Sequence, residues 1–321
     1  MGAQIIGTGI ALPKRMITNE TLASRLGLTP SKIEKRCGIQ TRYWIDKGQT
    51  TSTLAIDAAK AALQSADIPV AAIDLILVST TSPDMFFPSV ACLVQRGLAA
   101  RPIPALDINA SCSGFLYALS IADMYIRNGL ARHVLVIAAE VKSPFLSQDD
   151  PATAILFGDG AGAVVLASRR RGIRSIHLHA DGSRHSLIRL PAGGSRIPTT
   201  HDSLKEGLHT MKMDGKALFR EAVKKINRAM ESISVEIPLG KIDLFLFHQA
   251  NLRIIEAVLQ RWKIPAGRSH MTIQKVGNTS SSSLPIVLHD SVRTGKLKRG
   301  DCVALLAFGG GVTWGWSLID W

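Results

Sequence analysis

The chain has 321 residues, of which 46% are hydrophobic and 20% are charged, which is typical of a globular protein and excludes a disordered one. No apolar run approaches the roughly 20 residues that a membrane-spanning helix needs, and the N-terminus lacks the basic region of a signal peptide. The formal net charge of +13 favours an acidic partner, although general solubility would also explain it.

Predicted strands and helices alternate along the chain, beginning with a strand at the N-terminus. Short apolar runs at 73–78, 133–137 and 163–166 are typical of strands that are buried on both faces. Helical periodicity appears at 52–66 and 218–233. The alternation predicts an α/β layered fold. The segment 192–209, rich in Gly, Pro, Thr and Ser, is predicted to be a long surface loop.

A weak internal repeat relates two pairs of these predicted strands. Residues 242–246 resemble residues 73–77, which lie 169 positions earlier, and residues 303–307 resemble residues 134–138 at the same offset. Because buried strands resemble one another by composition, one match would mean little, but two matches at one offset favour a duplicated half. The charged connection after the third strand predicts an N-terminal half at 1–170 and a C-terminal half at 171–321.

The cysteines show neither a CxxC pair nor metal-ligand spacing, so reduced thiols in a cytoplasmic protein are expected. Cys112 differs from the others because it lies where a strand-like run ends and a helical pattern begins. Backbone N–H groups and the helix dipole at such a turn favour the thiolate, which is the nucleophilic form. The alternative is a buried structural thiol, since a free cysteine packs like a small hydrophobe.

Three segments further along the chain would complete a site for acyl transfer. His248 follows the apolar run 244–247, although a lone histidine in this position is usually structural. Asn278 lies in a Gly-Asn-Thr-Ser turn, and the glycines at 309–311 expose backbone N–H groups without the Lys and Ser/Thr of a phosphate-binding loop. A cysteine nucleophile, two polar donors and a glycine-rich turn together suit acyl transfer through a stabilised enolate.

Five short motifs follow one another along the chain, namely Ala110-Ser111-Cys112-Ser113-Gly114, Phe157-Gly158-Asp159-Gly160-Ala161-Gly162, His248-Gln249-Ala250-Asn251-Leu252-Arg253, Gly277-Asn278-Thr279-Ser280 and Phe308-Gly309-Gly310-Gly311. In this order they resemble the β-ketoacyl-acyl carrier protein synthase III family of the thiolase superfamily, over nearly the whole chain. The resemblance implies a five-layer αβαβα thiolase-like fold of two pseudo-duplicated halves, and a homodimer.

The resemblance also implies a reaction and its residues. Cys112 would be acylated by an acyl-CoA primer, and His248 and Asn278 would stabilise the enolate formed when malonyl-acyl carrier protein loses CO₂, in fatty acid biosynthesis. The N–H groups of Cys112 and Gly310 would form the oxyanion hole. No metal or redox cofactor is implied, because decarboxylation supplies the carbanion. A thiolase is disfavoured because the glycine turn lacks a second cysteine, and Asn278 stands where elongating synthases have a second histidine.

Further positions match the family's binding surfaces. Phe87 matches a residue that reaches across the dimer into the partner's acyl pocket. The positions that match the substrate channel are Arg36, Gly215, Phe219, Asn251 and Phe308. The positions that match carrier-protein docking residues, or fall where the family often has basic residues, are Arg220, Arg253 and Arg261.

The sequence departs from the family where a Trp and an Arg sandwich the adenine of coenzyme A in well-known members, since Lys32 and Pro151 stand there. The donor could still be an acyl-CoA, with Lys32 pairing to a phosphate. Alternatively, the enzyme is a specialised ketosynthase or acyltransferase of secondary metabolism that uses an unusual acyl-CoA or a carrier-bound donor. A catalytically silent subunit is disfavoured by the presence of Cys112 and His248. A nucleic-acid-binding protein is disfavoured because 169–174 is the only dense basic run.

Overall fold

The computed structural model describes residues 2–147 and 149–321. The strands in these ranges are β1 (Gly2–Ala11), β2 (Arg15–Thr18), β3 (Thr41–Trp44), β4 (Leu75–Ser79), β5 (Ala105–Ile108), β6 (His133–Glu140), β7 (Gly160–Arg169), β8 (Ile173–Ala180), β9 (Ile188–Arg189), β10 (Lys212–Met213), β11 (Leu244–Phe247), β12 (Cys302–Gly309) and β13 (Thr313–Asp320). The helices are α1 (Asn19–Leu26), α2 (Pro30–Cys37), α3 (Thr51–Ala66), α4 (Val90–Gly97), α5 (Gly114–Arg127), α6 (Pro151–Ala154), α7 (His201–Lys205), α8 (Gly215–Glu236), α9 (Leu252–Arg261), α10 (Ile273–Val276) and α11 (Ser283–Arg293).

Two sheets form the centre of the molecule, and the four strands of the second repeat the arrangement of four strands of the first. Their strand orders are β1-β7-β6-β4-β5 and β8-β13-β12-β11. In both sheets a parallel pair, β4 with β6 or β11 with β12, continues into two antiparallel neighbours. Leu75 lies opposite Val134, and Leu244 lies opposite Val303, each separated by 59 residues along the chain. The repeat found in the sequence is therefore also a repeat of strand register.

Helices cover both faces of both sheets, so that the molecule has five layers. Helices α5 and α11 pack between the sheets in one hydrophobic core. Helices α3 and α4 pack on the outer face of the first sheet, and α8 and α9 pack on the outer face of the second. The predicted αβαβα thiolase-like fold is confirmed.

Helix α3 lies unusually close to β1, and the sequence explains why. Its N-terminus is fixed by a capping box between Thr50 and Thr53. Its buried face includes four alanines, and it lies over Gly7 and Gly9 of β1. A Cβ atom at Gly9 would lie 2.3 Å from the backbone nitrogen of Ala62, so this contact requires glycine.

The predicted helices at 52–66 and 218–233 correspond to α3 and to the longer α8. The predicted loop at 192–209 was only partly right, because it contains the short helix α7. The side chain of Thr200 accepts a hydrogen bond from the Ser203 backbone N–H, and the Thr200 backbone N–H donates to the Ser203 hydroxyl, so the polar residues that suggested a loop form a helix cap.

Candidate active site

Cys112 lies in a single 3-10 turn, Ser111–Ser113, between β5 and α5. A second 3-10 turn, Ser280–Ser282, precedes α11 at the same 169-residue offset. The residues that begin these turns, Ser111 and Ser280, have φ angles of 49° and 54°, in the left-handed region that few side chains adopt. The two turns meet, and Cys112 Sγ lies 3.4 Å from Ser280 Oγ.

The prediction that the turn favours the thiolate of Cys112 is wrong. Burial raises the pKa of the Cys112 thiol, and the carboxylate of Glu140 raises it further. The hydrogen bond with Ser280 and the charge of Lys142 lower it, but they do not offset burial. The Cys112 side chain is therefore a neutral thiol at physiological pH.

His248 follows β11 directly and is 7% exposed. Its Nδ1 lies 2.5 Å from Oγ of Ser283, the first residue of α11, and Ser283 Oγ also accepts the Gln249 N–H at 3.2 Å. Burial lowers the pKa of His248 to about 3. The imidazole is therefore neutral at physiological pH, with one ring nitrogen engaged by Ser283.

Asn278 is held by its backbone next to the Phe157-Gly158 segment. Its N–H donates to Leu156 O at 2.9 Å, and its carbonyl accepts the Gly158 N–H at 3.0 Å. Its side-chain Oδ1 accepts the Ser280 N–H at 2.9 Å. Within the described part of the chain Nδ2 has no acceptor, so that this N–H group is left for a ligand.

A buried carboxylate that the sequence analysis missed lies close to Cys112. Glu140 ends β6 with no exposed surface and accepts hydrogen bonds from Ser280 at 3.0 Å, Ser281 at 2.8 Å and Ser82 at 2.8 Å. Burial alone would raise the pKa of Glu140, but the charge and hydrogen bond of Lys142, with the serine hydrogen bonds, bring it below its usual value. The only signal in the sequence for Glu140 and Lys142 was that two charged residues lie at the end of an apolar run.

One cavity of about 320 Å³ joins most of the predicted site residues. Gly309 also lines this cavity. It packs closely against Cys112, since a Cβ atom at position 309 would lie 2.6 Å from the Cys112 backbone nitrogen. The predicted residues that line this cavity are Arg36, Cys112, Gly215, Phe219, His248, Asn251, Asn278, Phe308 and Gly310. Phe87 lies outside this lining, 84% exposed and next to the equally exposed Phe86.

The predicted docking residues lie in two shallow grooves. Arg220 and Arg261 line one groove with Phe219, which also lines the main cavity. Arg253, in the first turn of α9, lines a separate groove with Lys35.

The two positions that depart from the family pattern lie on short helices. Lys32 is exposed on α2, which also carries Arg36 of the cavity lining. Pro151 begins α6, whose next residue, Ala152, lines the cavity.

Within residues 2–147 and 149–321 the structure contains no group of three or more His, Cys, Asp or Glu side chains placed to hold a metal ion. None of the helices described there is long and apolar enough to cross a membrane. All four cysteines are unpaired.

Comparisons with known proteins agree on one family. Residues 106–182 match the family model described as 3-oxoacyl-[acyl-carrier-protein (ACP)] synthase III, and residues 234–321 match the model of its C-terminal part. A β-ketoacyl-[acyl-carrier-protein] synthase III of Caldanaerobacter subterraneus is 41% identical over 325 aligned positions, which cover 100% of this chain and 98% of that protein. One from Xanthomonas axonopodis is 42% identical over 320 positions, which cover 99% and 98%.

The fold comparison reaches the same family. The crystal structure of 3-oxoacyl-[acyl-carrier-protein] synthase III from Aquifex aeolicus has a TM-score of 0.92 and 38% sequence identity, and the match covers 100% of both chains.

Proposed function

The chain belongs to the 3-oxoacyl-[acyl-carrier-protein] synthase III family, and from that premise we propose that Cys112 is the nucleophile of its acyl-transfer reaction. The enzyme is an acyltransferase of fatty acid biosynthesis that condenses an acyl thioester with a malonyl thioester. The observation that carries the proposed mechanism is that Cys112, His248, Asn278 and Gly310 border one cavity.

In the first half-reaction an acyl-CoA enters the cavity of about 320 Å³ and its carbonyl carbon is attacked by Cys112 Sγ. The bond between sulfur and carbon in the donor breaks, a new thioester forms on Cys112, and the thiol proton leaves with the coenzyme A thiol. The N–H groups of Cys112 and Gly310 receive the oxyanion. Removal of one such donor typically slows acyl transfer by about 10²–10³.

In the second half-reaction a malonyl thioester on acyl carrier protein occupies the same cavity and loses CO₂. The resulting enolate oxygen accepts hydrogen bonds from Asn278 Nδ2 and from His248 Nε2. Ser283 would place the proton on Nε2 by donating its own hydroxyl to Nδ1, 2.5 Å away. The enolate carbon then attacks the acyl group, and Cys112 leaves as a thiolate that takes up a proton. The carbanion comes from decarboxylation, so no redox cofactor or metal is required.

The same proposal includes the partners. An acidic acyl carrier protein would dock on the grooves of Arg220, Arg253 and Arg261. A homodimer would cover the exposed Phe86 and Phe87 and bring Phe87 towards the partner's acyl site. The unpaired cysteines fit a reducing, cytoplasmic location. The duplicated halves would be residues 1–170 and 171–321, since β7 ends at Arg169 and β8 begins at Ile173.

The specialised ketosynthase or acyltransferase of secondary metabolism has less support. Lys32 and Pro151 are the observations in its favour, since both stand where an adenine clamp would lie. The full-length relatives at 41% and 42% identity carry the name of the initiating synthase instead.

Intact-protein mass spectrometry after incubation with acyl-CoA thioesters tests the nucleophile. The wild type is expected to gain one acyl mass, located on the Cys112 peptide, and Cys112→Ala is expected to gain none. Cys92→Ala is the matched control, because Cys92 is exposed and lies outside the cavity lining. Acylation of Cys37, Cys92 or Cys302 in place of Cys112 would contradict the proposal.

A further inference from the structure

A second cavity, of about 130 Å³, opens beside Cys112. It shares Cys112, Phe157, Ile188 and Gly310 with the main cavity, but Arg36, His248 and Asn278 do not line it. A thioester that reaches Cys112 through the main cavity would therefore leave its acyl group in the second one. An apolar cavity of about 150 Å³ holds a benzene molecule, so this cavity has room for a short acyl group of about six non-hydrogen atoms.

The unusual feature of this cavity is Lys142, which borders it with a side chain only 8% exposed. Lys142 Nζ lies 2.9 Å from Glu140 Oε2 and donates to Thr81 Oγ1. An ammonium group has three N–H donors, and the described residues supply acceptors for two. The third donor is left at a cavity whose lining combines apolar side chains with the hydroxyl groups of Thr81, Ser111 and Ser280. A buried donor without an acceptor is costly.

Hydrogen bonds fix both the backbone of Lys142 and the partner of its side chain. Its backbone N–H donates to Asp159 Oδ1 at 2.6 Å, and the same carboxyl group accepts the Ser143 N–H at 2.9 Å and the Ile45 N–H at 2.8 Å. Glu140, the partner of the ammonium, is fixed by the hydrogen bonds that it accepts from serine hydroxyls. The ammonium is thus pre-organised at the end of a rigid network, so that binding of an acceptor would cost the Lys142 side chain little conformational entropy.

Stability alone does not account for this pair. A buried ion pair is often no more stabilising than apolar side chains of the same volume, and an apolar residue at 142 would suit a hydrocarbon acyl group better. Glu140 does not line the cavity, but its carboxylate, 2.9 Å from Lys142 Nζ, already neutralises the ammonium, so an anionic acyl group would gain little net attraction. A neutral oxygen can accept the third N–H without that penalty.

We propose that Lys142 makes this enzyme selective for a short acyl group that carries a neutral oxygen acceptor, a hydroxyl or keto group, on the carbon chain. The inference rests on the proposed function, because it places the acyl group on Cys112. Lys142 acts as a specificity-determining residue, since it contacts the acyl chain and not the reacting carbonyl.

The test compares two acyl-CoA thioesters of equal size and branching, 3-hydroxybutyryl-CoA and 3-methylbutyryl-CoA, which differ by a hydroxyl in place of a methyl group. The kcat/KM for acylation of Cys112 is measured by intact-protein mass spectrometry over time. The wild type is expected to prefer the hydroxy compound by about tenfold or more, the range for one hydrogen bond to a charged group. Equal rates, or a preference for the methyl compound or for succinyl-CoA, would overturn the inference.

The double variant Lys142→Met/Glu140→Gln removes both charges, so that neither is left buried alone, and it is expected to lose the preference. Arg189→Gln is the matched control, because Arg189 is an exposed cation at the same cavity, and it is expected to keep the preference. Loss of the preference in Arg189→Gln but not in the double variant would overturn the role of Lys142.

The wild-type rates alone remain decisive if the double variant does not fold. If neither thioester acylates Cys112, the proposed function fails and this inference fails with it. If both acylate Cys112 at equal rates, the proposed function stands and only the selectivity is refuted.

Discussion

His248 and Asn278 differ from Cys112 in the chemistry that their surroundings allow. The pKa of His248 is about 3, whereas burial raises that of the Cys112 thiol, so the imidazole is a poor acceptor for the thiol proton. Both His248 and Asn278 can instead donate N–H groups to a developing enolate. The environment of each residue therefore supports the proposal that both act in the malonyl half-reaction.

We accordingly expect His248→Ala and Asn278→Ala to form the acyl-enzyme at rates close to those of the wild type. Decarboxylative condensation should fall by about 10²–10³ in each, the usual effect of losing one donor to an oxyanion. Intact-protein mass spectrometry measures the first half-reaction, and release of labelled CO₂ from malonyl-acyl carrier protein measures the second.

One outcome would contradict this division between the two half-reactions. Complete loss of acylation in His248→Ala, with acylation retained in Asn278→Ala, would make His248 the base that deprotonates Cys112. Cys112→Ala serves as the control that separates decarboxylation from acylation, because it retains both donors.

At the scale of elements, the contact between α3 and β1 depends on two glycines in the strand. A Cβ atom at Gly9 would lie 2.3 Å from the nitrogen of Ala62 and 2.4 Å from the carbonyl oxygen of Ala58. Both are backbone atoms of a helix that packs against the sheet, so neither can move aside without a shift of the whole helix.

Gly9→Ala is therefore expected to destabilise the fold by about 1–3 kcal/mol or more, the usual cost of overpacking. The midpoint of urea unfolding, followed by circular dichroism, measures the change. Gly240→Ala is the control, since no atom lies within 4 Å of a Cβ there. An unchanged midpoint for Gly9→Ala would show that α3 can move away from the sheet at little cost.

At the scale of the whole molecule, the net charge is +13, and three of the basic residues line grooves on the surface. Arg220 and Arg261 share their groove with Phe219, a residue of the cavity wall. Arg253 lies in a separate groove with Lys35, Glu34 and Glu256. An acidic protein that bound there would face the entrance to Cys112, and complementary charge would speed its encounter.

Reversal of charge at Arg253 or Arg220 to Glu is expected to raise the KM for malonyl-acyl carrier protein and to weaken its dependence on salt. Acylation by acyl-CoA should change little, because a small thioester needs no protein contact. Steady-state kinetics at two ionic strengths measure both.

Arg170→Glu is the matched control, because it changes the net charge equally but lies outside both grooves. Equal effects of Arg170→Glu and Arg253→Glu would attribute the salt dependence to net charge rather than to a docking surface.

Much of the architecture was predictable because its signals are local. Buried strands are recognisable as apolar runs. The 169-residue repeat was recognisable from two pairs of such runs at the same offset. The motifs around Cys112, His248, Asn278 and Gly310 identified the family and the residues of one cavity, since each lies directly after a strand or in a turn.

The tertiary structure decided what depends on residues far apart in the sequence. Cys112 meets Ser280 and lies above Glu140, which no local pattern reveals, and burial there reverses the pKa shift that the helix start alone would produce. The same holds for Lys142, whose burial and position at the second cavity depend on residues from distant parts of the chain, such as Ser280. A pKa and a pocket depend on desolvation and on contacts across the fold, and only the packed molecule determines either.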